Sequence, residues 1–118
     1  DENDTSLQNY LDEVALEVRE RLNVLNYPVP FNCFNGGLDV FVDIGSKQHG
    51  LMALQALLNV NAEHTLHVGD QFSMAGNDLL ARRVSPTCWV KGPKETNTHL
   101  KWLNRFYERK IKRSNSNI

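Results

Sequence analysis

Two aspartates and a lysine carry the chemistry that this sequence offers. Asp70 and Asp78 stand in Leu66-His67-Val68-Gly69-Asp70-Gln71-Phe72-Ser73-Met74-Ala75-Gly76-Asn77-Asp78, and Lys47 closes Val42-Asp43-Ile44-Gly45-Ser46-Lys47. A short apolar strand ending in Gly-Asp, then a Gly-Asn-Asp turn, brings two carboxylates to the carboxyl edge of a sheet, where open α/β sheets form their sites. Lys47 adds a compact positive charge from a separate element. Magnesium prefers hard oxygen ligands and completes its octahedral shell with water and phosphate oxygens, so the set suits a magnesium ion and a phosphate monoester. Two carboxylates drawn together would raise at least one pKa unless a cation relieved them. Asp39, eight residues before Lys47, is a further candidate, its carboxylate able to accept hydrogen bonds from sugar hydroxyls. The nucleophile is missing: no acidic cluster follows an N-terminal apolar strand.

The elements that must position these groups follow from periodicity and turn residues. Leu7, Leu11, Val14, Val18, Leu22 and Leu25 recur at three and four residues, which predicts an amphipathic helix, with Asp4-Thr5-Ser6 as N-cap and Thr5 with Gln8 as a capping box. Tyr27-Pro28-Val29-Pro30 ends it, because proline lacks an amide donor and restricts its predecessor. Two strand-like runs, Phe31 to Phe34 and Leu38 to Ile44, flank Asn35-Gly36-Gly37, a hairpin signal. Ser46 is placed to cap a helix from Lys47 to about Leu58, with Leu51, Leu54 and Leu58 on its buried side. A strand over Thr65 to Val68, a helix from Gly76 through about Arg83, a strand over Thr87 to Val90 and a helix opened by Pro93 complete the order. Alternation of helix and strand from Lys47 onward reads as a parallel α/β layer. Two parallel strands make a poor sheet alone, so a third and central strand is expected from outside this chain.

Composition sets broad limits. At 118 residues, 41% apolar and 23% charged, the chain allows one folded domain or part of a larger one. A net charge of −1 argues against general nucleic-acid affinity. Six basic residues between Lys101 and Arg113 face one acid, Glu108, and are expected to form a solvated helix face. Cys33 and Cys88 lack CxxC spacing, which points to a reduced compartment, here taken as cytoplasmic. No apolar run approaches the roughly 18 residues needed to span a bilayer, so no membrane partner is expected. The histidines His49, His64, His67 and His99 show no metal-ligand spacing, and structural roles are expected for all four, with His67 on the face opposite Leu66 and Val68. Trp89 and Trp102 are expected as core or subunit-contact aromatics. The first residue is Asp1 and not methionine, so a piece of something longer is expected.

Phe34-Asn35-Gly36-Gly37, Asp39-Val40-Phe41-Val42-Asp43-Ile44-Gly45-Ser46-Lys47, Gly69-Asp70-Gln71-Phe72 with Gly76-Asn77-Asp78, and Trp89-Val90 with Pro93-Lys94-Glu95-Thr96 together closely resemble the IMP-specific 5′-nucleotidase family of the haloacid dehalogenase superfamily. A weaker similarity runs to the eukaryotic phosphomannomutases. The resemblance covers about residues 31–103. It implies a Rossmann-like α/β core with an inserted α+β cap, residues 1–38 being the end of the cap and 39–113 its return strand and the C-terminal half of the core, while the polar run 114–118 is itself expected as a disordered tail. It implies a magnesium-dependent phosphohydrolase that converts IMP to inosine and phosphate through an aspartyl-phosphate intermediate. Lys47 matches the third motif, catalytic and substrate-binding. Asp70 and Asp78 match the fourth, which holds the metal. Asp39 matches a substrate-contacting aspartate. The resemblance further implies a homo-oligomer and ATP as an allosteric activator. Asp1-Glu2-Asn3-Asp4-Thr5 superficially resembles the first motif but lacks its preceding strand, so the nucleophile is expected on the N-terminal remainder of the same protein, and this chain alone is expected to be inactive. Two alternatives stand beside this: a phosphomannomutase-like sugar-phosphate transferase, and a catalytically silent interaction fragment using the basic final helix.

Overall fold

The computed structural model describes residues 2–115, and its first helix, α1 (Glu2–Val24), packs on the first strand, β1 (Phe31–Asn35). Leu11 and Ala15 are the residues of this helix that become buried, while Leu7 and Leu25, at the ends of the expected stripe, stay exposed. The helix starts ahead of Thr5, so Asp4, Thr5 and Ser6 lie within it instead of capping it. Gln8, expected to close a capping box, reaches away from the helix and donates to the Gly37 carbonyl at 2.8 Å.

β1 pairs antiparallel with β2 (Val40–Ile44), in register from Phe31 opposite Ile44 to Asn35 opposite Val40. Their connection tightens at the Gly36 amide, which donates to the Asp39 carbonyl at 2.8 Å, and at Gly37, whose φ of +97° suits a residue without a Cβ. Asn35 closes the turn through its side chain, which accepts the Gly37 amide at 2.7 Å.

α2 (Lys47–Leu58) spans the expected residues. Ser46 stands at its N-cap in extended conformation, but its hydroxyl meets His49 Nδ1 at 3.0 Å and caps no backbone amide. Asn59 ends the helix with φ +51°, and the Val60 amide returns to the Gln55 carbonyl at 3.0 Å. The expected buried side is not covered: Leu51 is half-buried, and Leu54 and Leu58 are exposed.

After a 3₁₀ turn at Ala62–His64, β3 (His67–Gly69) pairs in parallel with β4 (Thr87–Trp89). The segment expected to be helical from Gly76 is instead loop followed by a 3₁₀ turn, Leu79–Arg83, packed against α2. Gln55 joins these pieces, donating to the Thr65 hydroxyl at 2.8 Å and the Val84 carbonyl at 2.9 Å. α3 (Pro93–Asn115) opens at the expected proline and runs through Ser114 and Asn115, into the segment expected as tail; residues 116–118 lie outside the described residues. No described helix is long and apolar enough to cross a membrane.

Among the described residues the result is a mixed helix-and-strand fold with two small sheets of two strands each. Its radius of gyration, 18.4 Å, exceeds the value of about 13 Å for a compact domain of this length. Val42 and Ile44 on β2, Leu54, Leu57 and Leu58 on α2, and Trp102 and Phe106 on α3 are all exposed. Apolar surface of this extent on three elements is more than an isolated folded monomer usually leaves open to water.

Candidate active site

The carboxylate of Asp78 is the centre of the site. It is fully buried and accepts four hydrogen bonds. Oδ1 takes Lys47 Nζ at 2.6 Å and His67 Nε2 at 2.7 Å. Oδ2 takes the backbone amides of Gln71 at 2.9 Å and Asp70 at 3.1 Å. An ionised carboxylate offers about four lone-pair positions, and all of them are used. Burial by itself pushes the Asp78 carboxyl up, but the Lys47 hydrogen bond, the Gln71 amide, the His67 hydrogen bond and the Lys47 charge outweigh it and hold the group below the ordinary 3.8. It is therefore an anion that binds α2, β3 and the loop after β3 at one point.

Local sequence makes that point reachable. Gly69 ends β3, and a Cβ placed there would meet the Asp78 carboxylate well inside the 3.0 Å that real Cβ atoms essentially never cross. Gly76 similarly lies against the Gln71 backbone. The loop between them is fixed by the Asp78 amide donating to the Gln71 carbonyl at 3.0 Å. It is held from the other side by the Asn35 amide, which donates to the Ala75 carbonyl at 2.8 Å. Arg19, on α1, adds a bond to the Met74 carbonyl at 2.8 Å and another to the Cys33 carbonyl. In Gly69→Ala we expect the new methyl group to force the loop off Asp78, destabilising the fold by about 2 kcal/mol. Urea unfolding of the full-length variant measures this, and an unchanged midpoint would mean that the carboxylate does not pack against β3.

Asp70 is placed differently. It is exposed at the carboxyl end of β3, its backbone carbonyl accepting the Trp89 indole N–H at 3.1 Å. Trp89, expected as a core or subunit-contact aromatic, is exposed and forms the rim of this edge. Both line a cavity of about 220 Å³ with Gln8, Asp12, Asn35 and Ser73. Lys47 is part-exposed, and besides Asp78 it donates to the Asn77 side-chain carbonyl at 2.8 Å. An ammonium group has three donors, so one N–H beyond these two contacts is left for a ligand. Asp39 lies in the exposed hairpin turn, two residues from Gly37, which lines the same cavity as Asp70. The structure thus brings Lys47 and Asp78 into contact and ties the Asp70 backbone to Asp78 through its amide, while Lys47 lines a separate cavity with Asn77 and Asp39 stays on the hairpin turn.

His67 and Asn77 are partners that the expected site lacked. A structural role is expected for His67, and the sequence carries a signal for where it acts. Residues two apart on a strand share a face, so His67 lies on the face of Gly69, where the missing Cβ admits Asp78.

Among the described residues, no group of three or more His, Cys, Asp or Glu is arranged to hold a metal. Magnesium does not demand one, since it is bound through one or two carboxylates with water and phosphate as further ligands. The free carboxylate of Asp70 fits that pattern. Asp78 would have to give up one of its four donors to join it.

A family model described as IMP-specific 5′-nucleotidase matches residues 3–100. The IMP-specific 5′-nucleotidase 1 of Schizosaccharomyces pombe is 43% identical over 101 residues, which is 84% of this chain and 25% of that protein. The structure of N-terminally truncated, IMP-bound Plasmodium falciparum IMP-nucleotidase is similar with a TM-score of 0.74 and 39% identity, over 79% of this chain and 25% of that one. The ATP-bound structure of the same enzyme is similar with a TM-score of 0.60 and 38% identity, over 75% of this chain and 21% of that one. The chain therefore spans about a quarter of the length of the relatives it matches.

Proposed function

The chain belongs to the IMP-specific 5′-nucleotidase family, and from that membership we propose that it carries part of the active site of a magnesium-dependent phosphohydrolase that converts IMP to inosine and phosphate. The core is of the haloacid dehalogenase type, and its remaining strands and cap belong to the part of the protein that this chain does not span. An aspartate from that part attacks the 5′-phosphate and becomes phosphorylated. A neighbouring acid protonates the inosine oxygen as it leaves, and water then hydrolyses the acyl phosphate.

The observation that carries this proposal is the Asp78 carboxylate, which joins Lys47 to the amides under Asp70. Lys47 directs its remaining N–H at a phosphate oxygen. At an effective dielectric of about 20, unit charges near 4 Å attract by roughly 4 kcal/mol, enough to orient a phosphate. Asp70 supplies the carboxylate for magnesium, and Asp78 supports it through the backbone. Bound magnesium neutralises charge on the phosphoryl oxygens as a Lewis acid. Asp39 orients the nucleoside from the hairpin turn. Such sites act by positioning and electrostatics. We further propose a cytoplasmic homo-oligomer with ATP as effector, a nucleotide that one of the similar structures holds.

The test is phosphate release by the full-length protein from IMP and from other nucleoside monophosphates, with and without magnesium, beside an assay of hexose-phosphate isomerisation. IMP turnover that requires magnesium is the expected result. Isomerisation without IMP turnover would replace the proposal with a sugar-phosphate transferase.

A further inference from the structure

We propose that His67 is a positioning residue for Lys47, acting through the one carboxylate oxygen that the two side chains share. The inference rests on the phosphohydrolase reading above, and it adds a residue that the resemblance does not supply.

Lys47 Nζ and His67 Nε2 approach Asp78 Oδ1 at 2.6 and 2.7 Å, respectively. The other oxygen, Oδ2, is already held by two backbone amides. Asp78 is held in its ionised form and is acceptor-only, so Nε2 carries the proton and donates it. A carboxylate oxygen accepts well in two directions. With His67 occupying one, the lysine is confined to the other, and its second bond to Asn77 fixes the rotation of the ammonium. The remaining N–H then points in one direction. Without His67, Oδ1 keeps a vacant lone pair, and a flexible four-carbon side chain can move across it. At Oδ1, His67 also shares with Lys47 the charge that the lysine would otherwise meet there by itself.

His67 is itself held in place. Its backbone amide donates to the Pro86 carbonyl at 2.9 Å, it faces Thr87 across the parallel ladder, and its ring meets the Phe72 ring edge-on at 6.0 Å. Its side chain is only 15% exposed, whereas that of Lys47 is 43% exposed. The more exposed lysine is the group that meets a ligand, and the largely enclosed histidine sets where it stands.

A role confined to filling a buried carboxylate would make the same contacts, so the test must read the lysine. Inorganic phosphate serves as the probe, its affinity for the magnesium-loaded full-length protein measured by calorimetry in the wild type, His67→Leu, Lys47→Met and the double variant. We expect His67→Leu to weaken phosphate about tenfold, within the range of couplings between contacting residues. The same change should add nothing in the Lys47→Met background. His67→Gln, which can present an amide N–H from the same strand position, should restore affinity to within about twofold. Should His67→Leu fail to fold, His67→Asn, with a shorter reach, takes its place beside His67→Gln. An equal loss in both lysine backgrounds, or none in either, would overturn the proposal. A wild type that binds phosphate but does not turn over IMP would remove the nucleotidase reading and leave His67 standing. A wild type that binds no phosphate would remove both.

Discussion

Asp70→Asn in the full-length protein is expected to reduce magnesium-dependent phosphate release from IMP by about a thousandfold, which is roughly 4 kcal/mol of transition-state stabilisation. The side chain is exposed at the end of β3, while its backbone is tied down twice. Both ties use main-chain atoms: the amide donates to Asp78 and the carbonyl accepts from Trp89. The amide side chain of asparagine is nearly isosteric and leaves them intact. What it removes is the anionic oxygen pair that magnesium selects. The fold should therefore change by no more than about 0.5 kcal/mol, the usual range for an exposed substitution. Phosphate release titrated with magnesium, beside a thermal unfolding scan, reads both effects. Near-normal turnover with an unchanged magnesium requirement would take Asp70 out of the site.

How much of this was legible in the sequence depends on the range of the interaction concerned. Local chemistry was clear. Asn35-Gly36-Gly37 gave its hairpin, because an Asn side chain and a glycine at positive φ close such a turn almost unaided. The bounds of α2 and the opening of α3 at Pro93 were also visible. Short segments whose form depends on distant partners were not. The run from Gly76 has helical composition, yet Asp78 is drawn inward to β3 and Lys47, and only the 3₁₀ turn Leu79–Arg83 remains. The apolar side of α2 shows the opposite case. Its spacing predicts a buried side at Leu54 and Leu58, but both are exposed, and among the described residues nothing covers them. For the site, residue chemistry and the resemblance both group Lys47 with Asp70 and Asp78, but neither residue type nor spacing reports the direct Lys47–Asp78 contact across 31 positions. The approach of His67 to Asp78 is legible in strand alternation, because Gly69 marks a close approach on the same face.

Asp78→Asn should produce the largest structural effect of any single substitution at this site. All four groups around the carboxylate are donors, and the replacement turns one acceptor oxygen into a donor. Whichever way the new amide faces, its NH₂ meets either the Lys47–His67 side or the two backbone amides. Leaving buried donors unanswered costs about 1–3 kcal/mol each, so a loss of about 2–4 kcal/mol is expected. Turnover should fall about a hundredfold even in the folded fraction, since both Lys47 and the Asp70 loop lose their common anchor. Acid provides the check on cause. The folded state holds the Asp78 carboxyl below its ordinary value of 3.8, so its contribution is complete above that value and is lost as pH falls through the lower, folded one. The wild type should therefore exceed the variant by its full margin at about pH 6, and the margin should shrink steadily as the pH drops below about 4. Urea midpoints of the two full-length proteins across that range measure it. A margin that stayed constant into acid would mean that the wild-type carboxyl is not ionised, and Lys47 would then have no anion to hold it.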